Sequence, residues 1–188
     1  SISNKKILSN YRKNCELNGV IENIPTLIDK MFWLHSSLQF QVKASNISNC
    51  GKWMLFCNKK FLTYSYNDLQ KELDSINNGD KEEKKNDDNK REDMLLTELD
   101  YFWLKVDKLT KTNNLGFSSK VSTSADPSKN EKPNGVIIIY CPNSDDKDNV
   151  LRVAQNIRSL LGWKEEEIRY KTDQATRQFK YGSNSHLY

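Results

Sequence analysis

In "IRYKTDQATRQFKYGSNSHLY", residues 168–188, four cations (Arg169, Lys171, Arg177 and Lys180) stand against a single carboxylate, Asp173. They are interleaved with Tyr170, Phe179, Tyr181 and Tyr188. Cations meet phosphate oxygens and ring faces meet bases, so this mixture suits a nucleotide or single-stranded nucleic acid. If "RYKT" is extended, alternation puts Arg169 and Lys171 on one side of a strand and Tyr170 on the other, a phosphate-facing rim above a packed sheet. The same residues also suit a solvated edge strand defended by charge. Lys171 and Asp173 are the preferred functional pair; on a surface they would be an ion pair of little energetic value, and only burial would equip them for proton transfer.

Other chemistry is sparse. His35 and His186 have no motif partner, and neither a glycine-rich phosphate loop nor a G-x-S-x-G turn occurs. The chain therefore reads as a binding domain in preference to an enzyme. Cys15, Cys50, Cys57 and Cys141 form no C-x-x-C pair and have no histidine close by in sequence, which argues for buried free thiols and for neither a metal nor another cofactor. "NIS" at 46–48 fits a glycosylation pattern, but no charged-then-apolar leader opens the chain and no apolar run approaches the ~20 residues of a membrane span. The expectation is a cytoplasmic protein, also compatible with the nucleus, that does not enter membranes. The net charge of +4 says little about partners, because Lys supplies 23 of the 29 basic residues in a sequence biased toward Lys and Asn.

The elements that must position these groups follow from periodicity. Residues 1–22 are polar and weakly periodic and read as an arm or tail, leaving 23–188 as one domain. "IPTLIDKMFWLH" repeats apolar residues at three and four, with Pro25 suited to a first turn, and predicts an amphipathic helix. "LQFQVKA" alternates as a half-buried strand does, whereas "KWMLFC" is apolar on both sides and predicts a strand covered on both faces, with Trp53 as packing. Residues 79–93 lack any apolar side chain, so a solvated charged insertion is expected over 76–94.

Beyond the insertion, "TELDYFWLKVDKLTKTNNLG" carries Leu99, Phe102, Trp103, Val106 and Leu109 on one helical stripe, with Thr97 and Asp100 as a start signal and Lys105, Lys108 and Lys111 off the stripe. "SSKVST" and "VIIIYC" predict strands, the second central. "DDKDNVLRVAQNIRSLLGW" predicts a helix closed by Gly162. The order implies an α+β domain with a mostly antiparallel sheet and about three helices on one face.

The series "GKWMLFCNKK", "ELDYFWLKV", "LGFSSKVST", "GVIIIYC" and "RYKTD" resembles the uncharacterised basophilic leukaemia expressed protein family over about residues 50–188. That family in turn resembles the cap-binding translation initiation factor 4E, whose curved sheet carries helices on its convex face. The resemblance implies that fold. It also implies where a cap would be held: between two tryptophan rings, with a glutamate beside the second, about ten residues before "GKW". Here that stretch is "FQVKASNISNCG", with neither residue, while Trp53 and Trp103 match core tryptophans. The phosphate-binding region implies Lys120, Lys129 and Lys132, and Trp33 is implied near the convex-face tryptophan on which partner peptides dock.

Two functional expectations result. A face rimmed by Lys120, Arg169, Lys171, Asp173, Arg177 and Lys180 would bind RNA or a nucleotide without methyl-cap selectivity. Alternatively, the convex helices would serve as a non-enzymatic scaffold for a protein partner, through Trp33 and an acidic-partner surface of Lys105, Lys108, Lys111, Arg152 and Arg158.

Overall fold

Two runs of β-branched and aromatic residues, Gly51–Asn58 and Asn134–Cys141, pair in antiparallel register through eight residue pairs, from Gly51 opposite Cys141 to Asn58 opposite Asn134. In the computed structural model, which describes residues 4–38, 47–78, 92–125, 132–177 and 186–187, these runs are strands β2 and β6. The other strands are β1 (Trp33–Ser37), β3 (Leu62–Ser65), β4 (Leu95–Thr97), β5 (Ser118–Ser122), β7 (Arg169–Thr172) and β8 (His186–Leu187). The helices are α1 (Lys5–Leu17), α2 (Tyr66–Asn78), α3 (Glu98–Lys111), α4 (Lys147–Ser159) and α5 (Asp173–Arg177). The main sheet runs β1-β5-β6-β2-β7-β8, with β3 and β4 forming a separate two-stranded ladder. Every described pairing is antiparallel, which makes this an α+β fold. None of the described helices is long and apolar enough to cross a membrane.

One face of the sheet packs on α3 and α4. Trp53, Leu55 and Cys57 of β2 and Ile137, Ile139 and Cys141 of β6 meet Leu99, Trp103, Val106 and Leu109 of α3 and Val150, Val153 and Ile157 of α4. Burying each such aliphatic side chain contributes about 1.5–3 kcal/mol. Trp53 is fully buried and donates from Nε1 to the Val150 carbonyl at 3.3 Å. Helix α3 starts where Thr97 accepts the Asp100 amide at 3.1 Å, and α4 starts where Asp146 accepts the Asn149 amide at 3.1 Å. Gly162, at φ +73°, turns the chain after α4 in the left-handed conformation that glycine adopts without strain.

Gly51 opens β2 because nothing larger fits. A Cβ there would stand 1.9 Å from the Tyr170 hydroxyl and 2.4 Å from Ser144 Oγ, two groups that hydrogen-bond each other at 2.7 Å. Gly51→Ala is expected to break that bond and to lower stability by about 1–3 kcal/mol in denaturant titration.

Four expectations from sequence change. Residues 24–35 are not a helix: a 3₁₀ turn at Pro25–Leu27 buries Ile24 and Leu27, and β1 follows from Trp33. The three-residue spacing that suggests an α-helix is met equally by a 3₁₀ turn. Residues 5–17 within the expected arm form α1, which buries Tyr11 and Cys15. Strand β2 is central but not covered on both sides, since Phe56 is 51% exposed. Lys105, expected off the apolar stripe, is buried in α3. Helix α2 and the β3–β4 ladder answer to no sequence expectation. The predicted strand "LQFQVKA" lies mostly outside the described residues, as does most of the charged insertion.

Candidate functional site

The face of the main sheet turned away from α3 and α4 gathers the sequence-predicted cations. Side chains of paired residues point the same way, so register alone sets the rows. Across one row stand Lys171, Lys52, Tyr140, Ser118 and Ser37. The next row holds Arg169, Met54, Ile138, Lys120 and His35. Beyond it Phe56 stands opposite Val136 and Trp33 opposite Ser122, with the Val136 amide donating to Ser122 Oγ at 3.0 Å. None of the six strands contains an acidic residue, so the field of this face is positive until Asp173 is reached at the start of α5.

Contacts join these rows into one cluster. The Lys120 ammonium lies 4.1 Å from the Trp33 ring centre and 5.8 Å from that of Tyr140, while Lys52 lies 5.9 Å from Tyr140 on its other side. Asp173 Oδ1 accepts from Lys52 Nζ at 3.4 Å. Burial lowers the Lys120 ammonium from its ordinary pKa, a shift that the charge of Asp173 opposes. Burial likewise raises the Tyr140 phenol, which Lys52 opposes and Asp173 reinforces. Two partly buried ammonium groups and a phenol thus stand side by side, with the Asp173 carboxylate as counter-charge to Lys52.

Lys120, Arg169 and Lys171 thus share one face with Asp173 at its margin, and the common side of Arg169 and Lys171 is the one that alternation within β7 suggests. Lys171 is only 4% exposed, set into the face and not on its rim. Arg177 ends α5 with its side chain outside the described atoms, and Lys129 and Lys180 lie outside the described residues; Lys132 is exposed before β6. Trp33 is corrected most. It lies on β1 beneath Lys120, on the face opposite the helices, because pairing with β5 fixes its direction. Lys52 and Tyr140 belong to the cluster and Phe56 shares its face, although sequence does not single them out; their signal is the alternation of "KWMLFC" and "VIIIYC", masked by apolar residues on both phases.

On the helix side the cations serve the fold. Lys105 bonds Glu72 and the Leu161 carbonyl, the latter at 2.8 Å, and Lys111 pairs with Asp107 at 3.0 Å. Arg152 donates to the Leu115 carbonyl and Arg158 to the carbonyls of Trp163, Glu165 and Glu166. A pocket of about 270 Å³ beside Lys105 is lined by Tyr64, Tyr101, Phe102 and Trp163. Its carboxylate Glu98 takes the Asn58 amide at 2.9 Å and the Tyr64 hydroxyl at 3.2 Å, so it too is occupied within the fold. Among the described residues no group of three or more His, Cys, Asp or Glu side chains is placed to hold a metal.

Comparison with solved structures finds eIF4E proteins. A schistosome eIF4E complexed with m7GpppA and 4E-BP is 11% identical over 72% of this chain and 54% of that one, at a TM-score of 0.36. The chain therefore spans about half the length of that relative. C. elegans eIF4E-3, solved with the 4E-binding protein Mextli and a cap analog, is 11% identical over 88% and 76% of the two chains, at 0.46. Ascaris suum eIF4E-3 with m7G cap is 13% identical over 86% and 72%, at 0.43. No curated protein matches the chain. The model of one protein family, Basophilic leukemia-expressed protein Bles03, matches residues 93–177, so the stretch from the approach to β4 through α5 carries that family's pattern.

Proposed function

We propose that the face of the sheet away from α3 and α4 binds a nucleotide or single-stranded RNA without selectivity for a methylated cap. The observation that carries this reading is the cluster itself: Lys52, Lys120, Arg169 and Lys171 come from three strands onto one face beside the rings of Trp33 and Tyr140. Phosphates meet the cations and bases the rings. A methylated, positively charged base needs a free electron-rich ring face, but the Trp33 ring already holds the Lys120 ammonium at 4.1 Å. A second cation there would be repelled.

Titration with a short RNA at several salt concentrations tests the reading. Log affinity should fall with log salt by about 0.7 for each phosphate contact, and Lys120→Ala should lower the slope by about that amount. A methylated cap analogue should bind no tighter than its unmethylated parent. Methyl-dependent binding would overturn the selectivity claim. A salt-insensitive or absent interaction would turn the reading toward a protein scaffold on the helical face.

A further inference from the structure

Phe56 is a large aromatic side chain left exposed on the sheet face that carries the cations. It stands near the end of β2, past Met54 where the pairing with β7 stops, opposite Val136 of β6, and remains 51% exposed. A phenyl ring left in water on a sheet surface forfeits much of the burial that favours such residues inside. Its neighbours are apolar but offer it no lid: Met54 precedes it on the same face, and Ile138 lies one row away. Cations border the patch, with Arg169 directly across from Met54 and Lys52 opposite Tyr140 at the far end of the strand. An exposed ring bordered by cations, on the sheet face that α3 and α4 leave uncovered, fits a base flanked by phosphates and not a neutral apolar peptide.

Spacing sets the size of the ligand. Lys52 and Phe56 are four residues apart on one strand, about 13 Å at the usual rise. Arg169, across from Met54, is near enough for the phosphate of a nucleotide stacked on Phe56, whereas a ligand that also engages Lys52 has to include a further nucleotide. Across the sheet, Phe56 and Trp33 sit on strands three positions apart, about 14 Å. That is about twice the gap that one base fills when sandwiched at the ~3.4 Å stacking distance on each side. The two rings therefore cannot share a base.

Resting on the function proposed above, we propose that Phe56 is a base-stacking platform, and that the ligand is single-stranded RNA of at least two nucleotides laid across the strands, one base on Phe56 and its phosphates on the neighbouring cations. A mononucleotide fills only part of this site.

The test titrates the full chain and its variants with uridine monophosphate, the dinucleotide pUpU, a uridine pentanucleotide and an abasic ribose-phosphate pentamer. The pentanucleotide should bind at least tenfold more tightly than the monophosphate. Phe56→Ala should weaken it about tenfold, to the affinity of the abasic oligomer, which itself should be unaffected by the substitution. Phe56→Trp should restore it. Exposure of Phe56 keeps these variants folded, which circular dichroism verifies. If salt-dependent binding persists but Phe56→Ala is silent, stacking is wrong and the anion-binding reading stands. If the wild type binds none of the four, both fall. A Phe56-dependent dimer in sedimentation, without RNA binding, would make the occupant a second copy of the chain and overturn the proposal.

Discussion

Asp100→Ala is expected to destabilise the protein by about 3–5 kcal/mol and to release α1 from the domain. Asp100 is fully buried, yet its carboxylate accepts from the Tyr11 hydroxyl at 2.6 Å, the Thr26 hydroxyl at 2.6 Å and the Thr26 amide at 3.1 Å. One side chain on α3 thereby ties together α1 and the 3₁₀ turn at Pro25–Leu27, which Arg12 of α1 also joins by donating to the Leu27 carbonyl at 3.4 Å. Alanine removes the acceptor and strands three donors; the buried Tyr11 hydroxyl costs roughly 1–3 kcal/mol without a partner, and the part-buried Thr26 hydroxyl and amide add less. Asp100→Asn keeps the shape and one acceptor and should cost about half as much. Denaturant titration measures the loss, and hydrogen exchange over residues 5–17 should rise together with it; an Ala variant within 1 kcal/mol of wild type would refute the account.

The pH dependence of the same group has a definite sign. Burial raises the Asp100 carboxyl above its usual range, against the hydrogen bonds from Thr26, Tyr11 and Thr97 that lower it. The folded state thus keeps the proton to higher pH than the unfolded chain does. The contribution of the protonated form is present at low pH and lost as pH rises through the folded value. The stability margin of wild type over Asp100→Asn should therefore narrow as pH is raised from about 4, the ordinary carboxylate value.

How much of this could be read from sequence depended on where each segment finds its partner. Helices α3 and α4 declared themselves locally, through an apolar stripe, Thr97 and Asp146 at their starts and Gly162 beyond the second. Strand β6 did so through "VIIIYC". Strand β1 did not, because "WLHSS" becomes a strand only by pairing with β5, some 85 residues further along the chain. Helix α1 is polar by composition, and it is held by the burial of Tyr11 and Cys15 and by Asp100, invisible as an anchor until the fold brings Tyr11 to it. The same division runs through the site. Arg169 and Lys171 follow from alternation within β7, and Lys120 from its strand, but Lys52 and Phe56 sit in a run apolar on both phases, where sequence does not say which face the helices cover. Lys105 shows the converse: a lysine off the stripe looks solvated until Glu72 and the Leu161 carbonyl enclose it.

Trp53→Ala should cost about 3–5 kcal/mol, the range for removing a large aromatic from a core that cannot close over the space. Trp53 is fully buried, its ring 4.8 Å from that of Tyr170 and its Nε1 bonded to the first-turn carbonyl of Val150 in α4, so it joins β2 to both β7 and α4. Trp53→Phe keeps most of the ring contact, loses the hydrogen bond and some volume, and should cost about 1–2 kcal/mol. Yet Trp53 points away from the face that holds Lys52, Met54 and Phe56, since successive side chains of a strand alternate. Folded Trp53→Phe should then bind the uridine pentanucleotide within about twofold of wild type, whereas Phe56→Ala, with almost no stability cost, should lose about tenfold. The two variants dissociate stability from recognition in opposite directions. Loss of RNA binding by Trp53→Phe at unchanged stability would make Trp53 a ligand contact, and the assignment of the two faces of β2 would have to be reversed.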